Sequence, residues 1–156
     1  MSSDNVEFVK TLQPTDVDLV ELFSGDAPPF GPPTAEPLPF AADMLVEFVS
    51  NFPGAERLTR QGLDGFVDGW RDWLEPYATY RIGTEGYVDG GDKVVVLIRV
   101  RATTGRGGVV VEHEPAAVWT LADGTVVALQ MYLERDDALR EAGLPSRGEA
   151  VEEPRR

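Results

Sequence analysis

The chain has 156 residues, with 27 acidic and 14 basic side chains, no cysteine and a single histidine, and its net charge is -13. This composition excludes disulfides, thiolate chemistry and a metal site built from several histidines. The acidity argues against nucleic acid and anionic membranes as partners, because phosphate groups are bound by clustered Lys and Arg.

The length is that of one ordinary domain. No segment approaches the roughly 18 consecutive apolar residues of a membrane span, and the start, MSSDNVEFVK, lacks the pattern of a signal peptide. Neither a phosphate-binding glycine loop nor a nucleophile motif occurs. We therefore expect a cytoplasmic protein with no metal and no other cofactor, and with neither nucleic acid nor a membrane as partner.

Two short helices are predicted first, over residues 3–12 and 15–23, with Pro14 ending the first. Residues 26–41 are too rich in proline for the interior of a helix or strand, and we predict a loop insertion there. Residues 44–50 are predicted to form a strand.

A longer helix is predicted over residues 64–77, because aromatic side chains recur there at helical spacing. These side chains are Phe66, Trp70, Trp73 and Tyr77. The simplest interpretation is that they pack in the core, and the alternative is that one of them lines a cavity. A strand over residues 80–88 follows, ending in a turn rich in Asp and Gly.

Residues 93–102 and 109–121 are predicted to form a hairpin closed by the glycine-rich loop 105–108. The register that this loop imposes pairs Arg99 with Glu114, Val100 with His113, and Arg101 with Glu112. Since successive residues of a strand alternate between faces, one face is apolar apart from His113 and the other carries the charged pairs.

A third strand is predicted over residues 125–133, after a three-residue turn. That turn places Leu121 opposite Thr125, Trp119 opposite Val127, Ala117 opposite Leu129, and Pro115 opposite Met131. A two-residue turn at Asp123 and Gly124 would instead bring Gln130 and Tyr132 to the apolar face, because a slip of one residue turns every side chain over.

Helices followed by sequential hairpins predict an α+β domain, with the helices gathered on the apolar face of a curved antiparallel sheet. The charged pairs on the other face are explained by surface or subunit-interface pairing. Residues 145–156 show no apolar periodicity, and we predict a disordered tail there.

Four stretches extend this fold prediction: GLDGFVDGWRDWL, YVDGGDKVVVLIRVRATTGRGG, AAVWTLADGTVVALQMY and ERDDALREAGL, which begin at residues 62, 87, 116 and 134. Together they resemble the SnoaL-like, polyketide cyclase-like branch of the nuclear transport factor 2-like superfamily. The resemblance implies a cone-shaped, strongly curved, mainly antiparallel sheet of the cystatin-like α+β type, with N-terminal helices on its concave face. It implies one domain over residues 1–144, interrupted by the insertion 26–41, and a homodimer formed through the outer sheet face.

In catalytic relatives, the resemblance implies an acid on the last strand that points into the cone. The matching position here is Met131, whose thioether cannot transfer a proton. Relatives also often carry a histidine where this sequence has Ala117. Both departures remove polar groups, so the resemblance supports the fold more strongly than it supports a reaction.

Three functions remain as hypotheses. The first is a binding module that holds a small hydrophobic molecule in the cone pocket. The predicted pocket lining is Trp70, Trp73, His113, Ala117, Trp119, Leu129 and Met131. The second is an isomerase, cyclase or hydrolase that uses His113 as acid or base, with Glu47 or Asp43 as its carboxylate.

The third hypothesis is a non-catalytic dimerisation scaffold, in which the proline-rich segment contacts a partner. His113 is the candidate catalytic residue, but a structural histidine at the pocket rim, or a ligand contact, fits its position as well. Because the predicted pocket lacks an acid, the sequence favours binding over catalysis.

Overall fold

A computed structural model describes residues 2–13, 15–23, 40–50 and 57–144. The helices are α1 (Ser2–Leu12), α2 (Leu19–Leu22), α3 (Gly62–Leu74) and α4 (Arg135–Glu141). The strands are β1 (Val17–Asp18), β2 (Phe40–Val49), β3 (Arg57–Gln61), β4 (Tyr77–Asp89), β5 (Lys93–Thr104), β6 (Val110–His113), β7 (Ala116–Ala122) and β8 (Thr125–Tyr132).

Within the described ranges the strands form one eight-stranded sheet, in the order β1-β4-β5-β7-β8-β2-β3, with β6 paired to β5. Neighbouring strands run antiparallel, apart from the parallel pair β2 and β8. Helices α1, α2 and α3 pack on one face, over the larger hydrophobic core. The predicted α+β fold, with a mainly antiparallel sheet and N-terminal helices on one face, is confirmed.

The register predicted for the hairpin of β5 with β6 and β7 is confirmed along its length. Val100 pairs with His113, and Val96 pairs with Ala117 in the same register. The ladder is interrupted between β6 and β7, where Pro115 has no N–H to contribute. The Pro115 carbonyl still accepts a hydrogen bond from the Ile98 N–H at 3.0 Å, which keeps the register continuous across the gap.

The predicted pairing of β7 with β8 is wrong by two residues. Asp123 and Gly124 have φ values of 52° and 76°, as the two-residue type I′ turn requires, so the turn is one residue shorter than predicted. A β-bulge opposite Thr120 and Leu121, with Val127 as the extra residue of β8, then shifts the register by one more residue, so that Trp119 pairs with Leu129. Two shifts of one residue restore the original face, and Leu129 therefore still shares a face with Trp119.

The two N-terminal helix predictions had different outcomes. The first helix is present as α1. The second, predicted over residues 15–23, is wrong in extent, because Val17–Asp18 pairs with β4 and only Leu19–Leu22 is helical. The side chain of Asp18 accepts a hydrogen bond from the Val20 N–H at 3.0 Å and caps the short helix, a role that Asp fills better than a place inside a helix.

Helix α3 ends at Leu74, earlier than predicted. The chain reaches Pro76 two residues later, and Tyr77 already pairs with Thr104 as the first residue of β4. Tyr77 therefore leaves the helical stripe and belongs to the sheet, because proline cannot continue the helix.

Two elements were missed by the sequence analysis. Strand β3 lies at the edge of the sheet, and its polar sequence RLTRQ has no apolar alternation to reveal it. Helix α4 carries Asp136 and Asp137 in its first turn. It covers the opposite sheet face, where Ala138 and Leu139 form a second hydrophobic cluster with side chains of β5, β7 and β8.

The predicted insertion 26–41 lies outside the described residues up to residue 39, and Phe40 and Ala41 already belong to β2. The predicted disordered tail 145–156 also lies outside them. In the part of the chain that the structure describes, no helix has the length and apolar character needed to cross a bilayer.

Candidate functional site

A cavity of about 60 Å³, partly open to solvent, lies between α3 and the sheet face that the N-terminal helices cover. Since one water needs roughly 10–15 Å³ of such space, the cavity holds about four to six waters, or a ligand of similar size. Its wall is apolar and rich in aromatic rings, which include Phe23, Phe48, Trp70, Trp73, Tyr80 and Trp119.

The aromatic wall is built by α3 packing against β2 and α2. The Phe48 ring meets Trp70 edge-on at 5.4 Å between centroids and stacks on Trp73 at 5.9 Å. The Phe23 ring stacks on Trp70 at 5.9 Å. Gly69 allows this approach, because a Cβ at that position would overlap the Phe48 ring. Such offset and edge-on contacts are favourable for aromatic pairs, and they hold the wall in place.

The structure brings six of the seven predicted pocket residues together. Trp70, Trp73, Ala117, Trp119, Leu129 and Met131 all line the cavity. Trp119 and Leu129 are almost fully buried, whereas Met131 is half-buried. The side chain of Met131 therefore occupies the cavity wall at the position where catalytic relatives are expected to carry an acid.

His113, the seventh predicted residue, is not in the cavity wall and reaches it through one intermediate group. Its Nε2 lies 3.2 Å from the Tyr80 hydroxyl, and the Trp73 indole N–H donates to the same hydroxyl at 3.1 Å. Burial lowers the pKa of His113, and the more weakly acting carboxylate of Glu134 opposes that effect. His113 is therefore a neutral imidazole at pH 7, set behind the wall.

Tyr80 is the polar centre of this arrangement. Its side chain is 2% exposed, and burial raises the pKa of its hydroxyl well above the ordinary value, so the group keeps its proton. The Asp18 carboxylate accepts a hydrogen bond from the Tyr80 backbone N–H at 3.0 Å. Because the same oxygen caps α2, the start of that helix and the Tyr80 backbone are fixed together.

A second polar contact closes the cavity toward α1, where the Trp119 indole N–H donates to the Gln13 side-chain oxygen at 3.2 Å. Among the described residues of the cavity wall, none carries a carboxylate, an imidazole or a cationic group. The polar side chains of the wall are thus those of Tyr80, Tyr132 and Gln13 and the indole N–H groups of the tryptophans. None of these is a general acid or base at neutral pH.

Glu47 and Asp43 do not supply the carboxylate that the enzyme hypothesis requires, and this part of the prediction is wrong. On β2 the cavity-facing residue is Phe48, and Glu47, which is 8% exposed, lies on the opposite face. There its carboxylate accepts hydrogen bonds from Gln130 Nε2 at 2.8 Å and from the Arg57 guanidinium at 2.6 Å. Asp43 is exposed. The alternation of side chains along β2 explains both positions.

The charged pairs predicted on the outer face are present. Arg101 contacts Glu112, and Arg99 lies 3.8 Å from Glu114. The structure adds Arg135, the first residue of α4, which is 7% exposed and was not singled out from the sequence. Its guanidinium donates to the Ile98 carbonyl at 2.8 Å and to Glu85 at 2.5 Å. Arg135 thus satisfies backbone acceptors beside the gap between β6 and β7.

The cavity residues that the sequence analysis did not predict include two with polar side chains, Tyr80 and Gln13. Tyr80 was placed in a strand, and the alternation of that strand gave no reason to prefer the tyrosine over its neighbours. Gln13 follows α1 and meets Trp119 across 106 positions of the chain. No local pattern reports a contact of that range.

The comparisons with known proteins fit this architecture. The profile of the SnoaL-like domain family matches residues 39–129, which is more than half of the chain. The chain belongs to the SnoaL-like domain family. No curated protein matches this SnoaL-like chain.

Solved structures place the SnoaL-like chain in the cone-shaped fold. An NTF2-like protein from Burkholderia xenovorans LB400 is 17% identical with a TM-score of 0.56, and the alignment covers 91% of this chain and 97% of that one. A protein of ketosteroid isomerase-like fold from Catenulispora acidiphila DSM 44928, solved in complex with trimethylamine, is 18% identical with a TM-score of 0.53, covering 89% and 94%.

A SnoaL-like protein from Jannaschia sp. CCS1 is 20% identical with a TM-score of 0.51, and the alignment covers 60% of this chain. The chain spans 65% of the length of that protein. At such identities the likeness establishes the fold alone. The resemblance expected from the sequence is thereby confirmed at the level of family and fold.

Proposed function

We propose that this SnoaL-like protein binds a small, mostly apolar molecule in the cavity and does not transform it. The observation that carries the proposal is the cavity wall, which is aromatic and aliphatic and has no ionisable catalytic group among its described residues. An apolar wall favours an apolar ligand, because burial removes the surface of both partners from water.

The cavity volume sets the size of the ligand. About 60 Å³ corresponds to a molecule of roughly four to six non-hydrogen atoms, far below the 300–1,000 Å³ of a drug-sized pocket. The trimethylamine held by the Catenulispora acidiphila protein is a molecule of this size, which supports a compact ligand.

The test is a titration of ¹⁵N-labelled protein with small cyclic hydrocarbons and alcohols, followed by the indole N–H signals of Trp70, Trp73 and Trp119. All three side chains line the cavity, so a bound ligand should shift their signals together. We expect millimolar affinity, because so small a ligand makes few contacts.

Ala117→Leu is the blocking variant, since Ala117 is 3% exposed and lines the cavity. Ala122→Leu is the matched control, with the same substitution on the same strand at an exposed position. Binding should be lost in the first variant and retained in the second. Equal binding by both variants, or no ligand response in the unmodified protein, contradicts the proposal.

An enzyme of the isomerase, cyclase or hydrolase kind is the alternative for the same cavity. The contact between His113 and Tyr80 is the observation that favours it, because it connects a titratable imidazole to the wall. Such an enzyme would have to work without a carboxylate in the described wall. Unchanged ligand on prolonged incubation, analysed by gas chromatography, is the outcome expected from the binding proposal.

We also propose a homodimer formed through the outer sheet face. Helix α4 covers one part of that face, which leaves the part around Arg101, Glu112 and the half-exposed Val110 for a subunit contact. Light scattering should give the mass of a dimer, and Val110→Glu should shift it to that of a monomer. A monomeric unmodified protein would contradict this proposal and leave the binding proposal intact.

A further inference from the structure

The hydrogen bonds around Tyr80 leave its hydroxyl only one way to interact with a ligand. The Trp73 indole nitrogen has a hydrogen and no acceptor capacity, so the 3.1 Å contact must be a donation to Tyr80 Oη. The hydroxyl hydrogen of Tyr80 must therefore find an acceptor elsewhere. Within the described part of the chain, the side-chain acceptor in reach is His113 Nε2, at 3.2 Å.

The state of His113 agrees with this assignment. Burial disfavours its charged form and lowers its pKa, and a neutral imidazole carries one nitrogen with a free lone pair. If Nε2 is that nitrogen, the Tyr80 hydrogen and the imidazole lone pair satisfy each other. In the other tautomer, Nε2–H would compete with Trp73 for the hydroxyl oxygen, and the Tyr80 hydrogen would remain without a partner.

With its hydrogen directed at His113 and one lone pair occupied by Trp73, the Tyr80 hydroxyl has a single remaining lone pair. We propose that the cavity recognises a small hydrophobic molecule bearing a hydrogen-bond donor, an aliphatic alcohol, through donation of the alcohol O–H to Tyr80 Oη. This inference rests on the proposed binding function and adds the chemical class of the ligand.

A ketone of the same shape is disfavoured for a definite reason. To hydrogen-bond it, Tyr80 would have to turn its hydrogen away from His113 and leave the imidazole nitrogen without a donor. A ketone would thus exchange one hydrogen bond of the buried Tyr80 hydroxyl for another, whereas an alcohol adds a hydrogen bond to the one with His113. We expect a preference of about tenfold for the alcohol, which corresponds to about 1.4 kcal/mol.

His113 acts in this scheme as a positioning residue, because it holds the Tyr80 hydrogen without touching the ligand. In His113→Leu the hydrogen is released and becomes available to a ketone oxygen. The ketone should then bind about tenfold tighter, and the two affinities should become similar. In Tyr80→Phe the affinity for the alcohol should instead fall to that for the ketone. If His113 had a merely structural role, His113→Leu would lower the affinities for both ligands together.

The experiment compares cyclopentanol with cyclopentanone, which share one carbon ring and differ in the donor. Each is titrated into ¹⁵N-labelled protein at pH 8, where His113 is neutral, and binding is followed by the Trp70, Trp73 and Trp119 indole signals. The Trp73 signal reports directly on the acceptor shared with the ligand. Arg106→Gln is the control, since Arg106 lies in the loop that joins β5 to β6 and is exposed.

The unmodified protein and the control should both bind cyclopentanol about tenfold more tightly than cyclopentanone. His113→Leu should lose this preference because it binds the ketone more tightly, and Tyr80→Phe should lose it because it binds the alcohol more weakly. Affinities within threefold of each other in the unmodified protein overturn the inference, as does a preference that survives His113→Leu. If Tyr80→Phe does not fold, His113→Leu still tests the inference, because His113 is only half-buried and its replacement disturbs the core less. If neither ligand nor any hydrocarbon shifts an indole signal, the proposed function itself fails.

Discussion

Glu47 anchors the edge of the sheet, and we predict that Glu47→Ala lowers the free energy of unfolding by about 2–3 kcal/mol. The carboxylate accepts hydrogen bonds from Gln130 at 2.8 Å, from Arg57 at 2.6 Å and from Thr59 at 3.3 Å. Arg57 and Thr59 belong to β3, so one side chain of β2 joins the edge strand to the interior of the sheet.

The contributions of Gln130 and Arg57 differ because the burial of these two donors differs. Gln130 is 5% exposed, and a buried hydrogen bond to a charged group is worth about 1.5–3 kcal/mol. Arg57 is 50% exposed in its side chain, so its ion pair contributes about 1 kcal/mol at most. The Gln130 amide also donates to the Tyr132 hydroxyl at 3.3 Å. Because this second hydrogen bond remains in Glu47→Ala, the total loss of stability stays near about 2–3 kcal/mol.

Urea denaturation followed by tryptophan fluorescence measures these free energies. Arg57→Ala is the matched comparison, since it removes one donor from the exposed side and should cost about 1 kcal/mol or less. The denaturant slope should be unchanged in both variants. A loss below about 0.5 kcal/mol for Glu47→Ala, or equal losses for the two variants, would show that the buried contact with Gln130 does not anchor the edge.

Three further predictions concern packing and pH. Gly69→Ala places a Cβ 2.4 Å from a carbon of the Phe48 ring, so the melting temperature should drop by an amount equivalent to about 1–3 kcal/mol, and an unchanged value would refute the close approach. The hydrogen bond from Arg135 lowers the pKa of Glu85, so stability should be full above the ordinary Glu pKa and fall below it, and Arg135→Met should flatten that part of the pH profile. Burial lowers the pKa of His113, so stability should fall as the pH drops below about 6.5, whereas His113→Leu should show no such decline between pH 7 and 5 in denaturation series.

The hairpin of β5 with β6 and β7 was predictable because its register depends on one loop. The sequence of that loop fixed the pairing of Val100 with His113, and the structure has the same pair. Both strands are contiguous in the chain, so no distant contact could alter the register. Prediction succeeded there because the determining interactions are local.

The pairing of β7 with β8 shows how a partly wrong prediction can keep a correct face. A turn of two residues and a bulge each moved the register by one position, and the second shift cancelled the side-chain reversal caused by the first. The bulge at Val127 has no signature in the sequence. The apolar character of Leu129 and Met131 was therefore a better guide to their orientation than the counting of turn residues.

The contacts of Glu47 and of Gln13 were beyond prediction for a different reason. Glu47 meets Gln130 across 83 positions, and Gln13 meets Trp119 across 106. Which carboxylate approaches which partner is decided by the parallel pairing of β2 with β8 and by the docking of α1. A sequence pattern of period 2 or 3.6 contains no information about either.

The amino-acid sequence by itself determined the class of the fold, the apolar face of the sheet and the aromatic side chains available to line a cavity, because those properties follow from local periodicity and from turn chemistry. Only the tertiary structure decided the size of the cavity, the exclusion of Glu47 from it and the placement of His113 behind Tyr80. Cavity volume is the difference left after side chains from distant elements have packed, and hydrogen-bond geometry depends on ångström distances between them. Neither the cavity volume nor this geometry is defined until the helices have packed against the sheet.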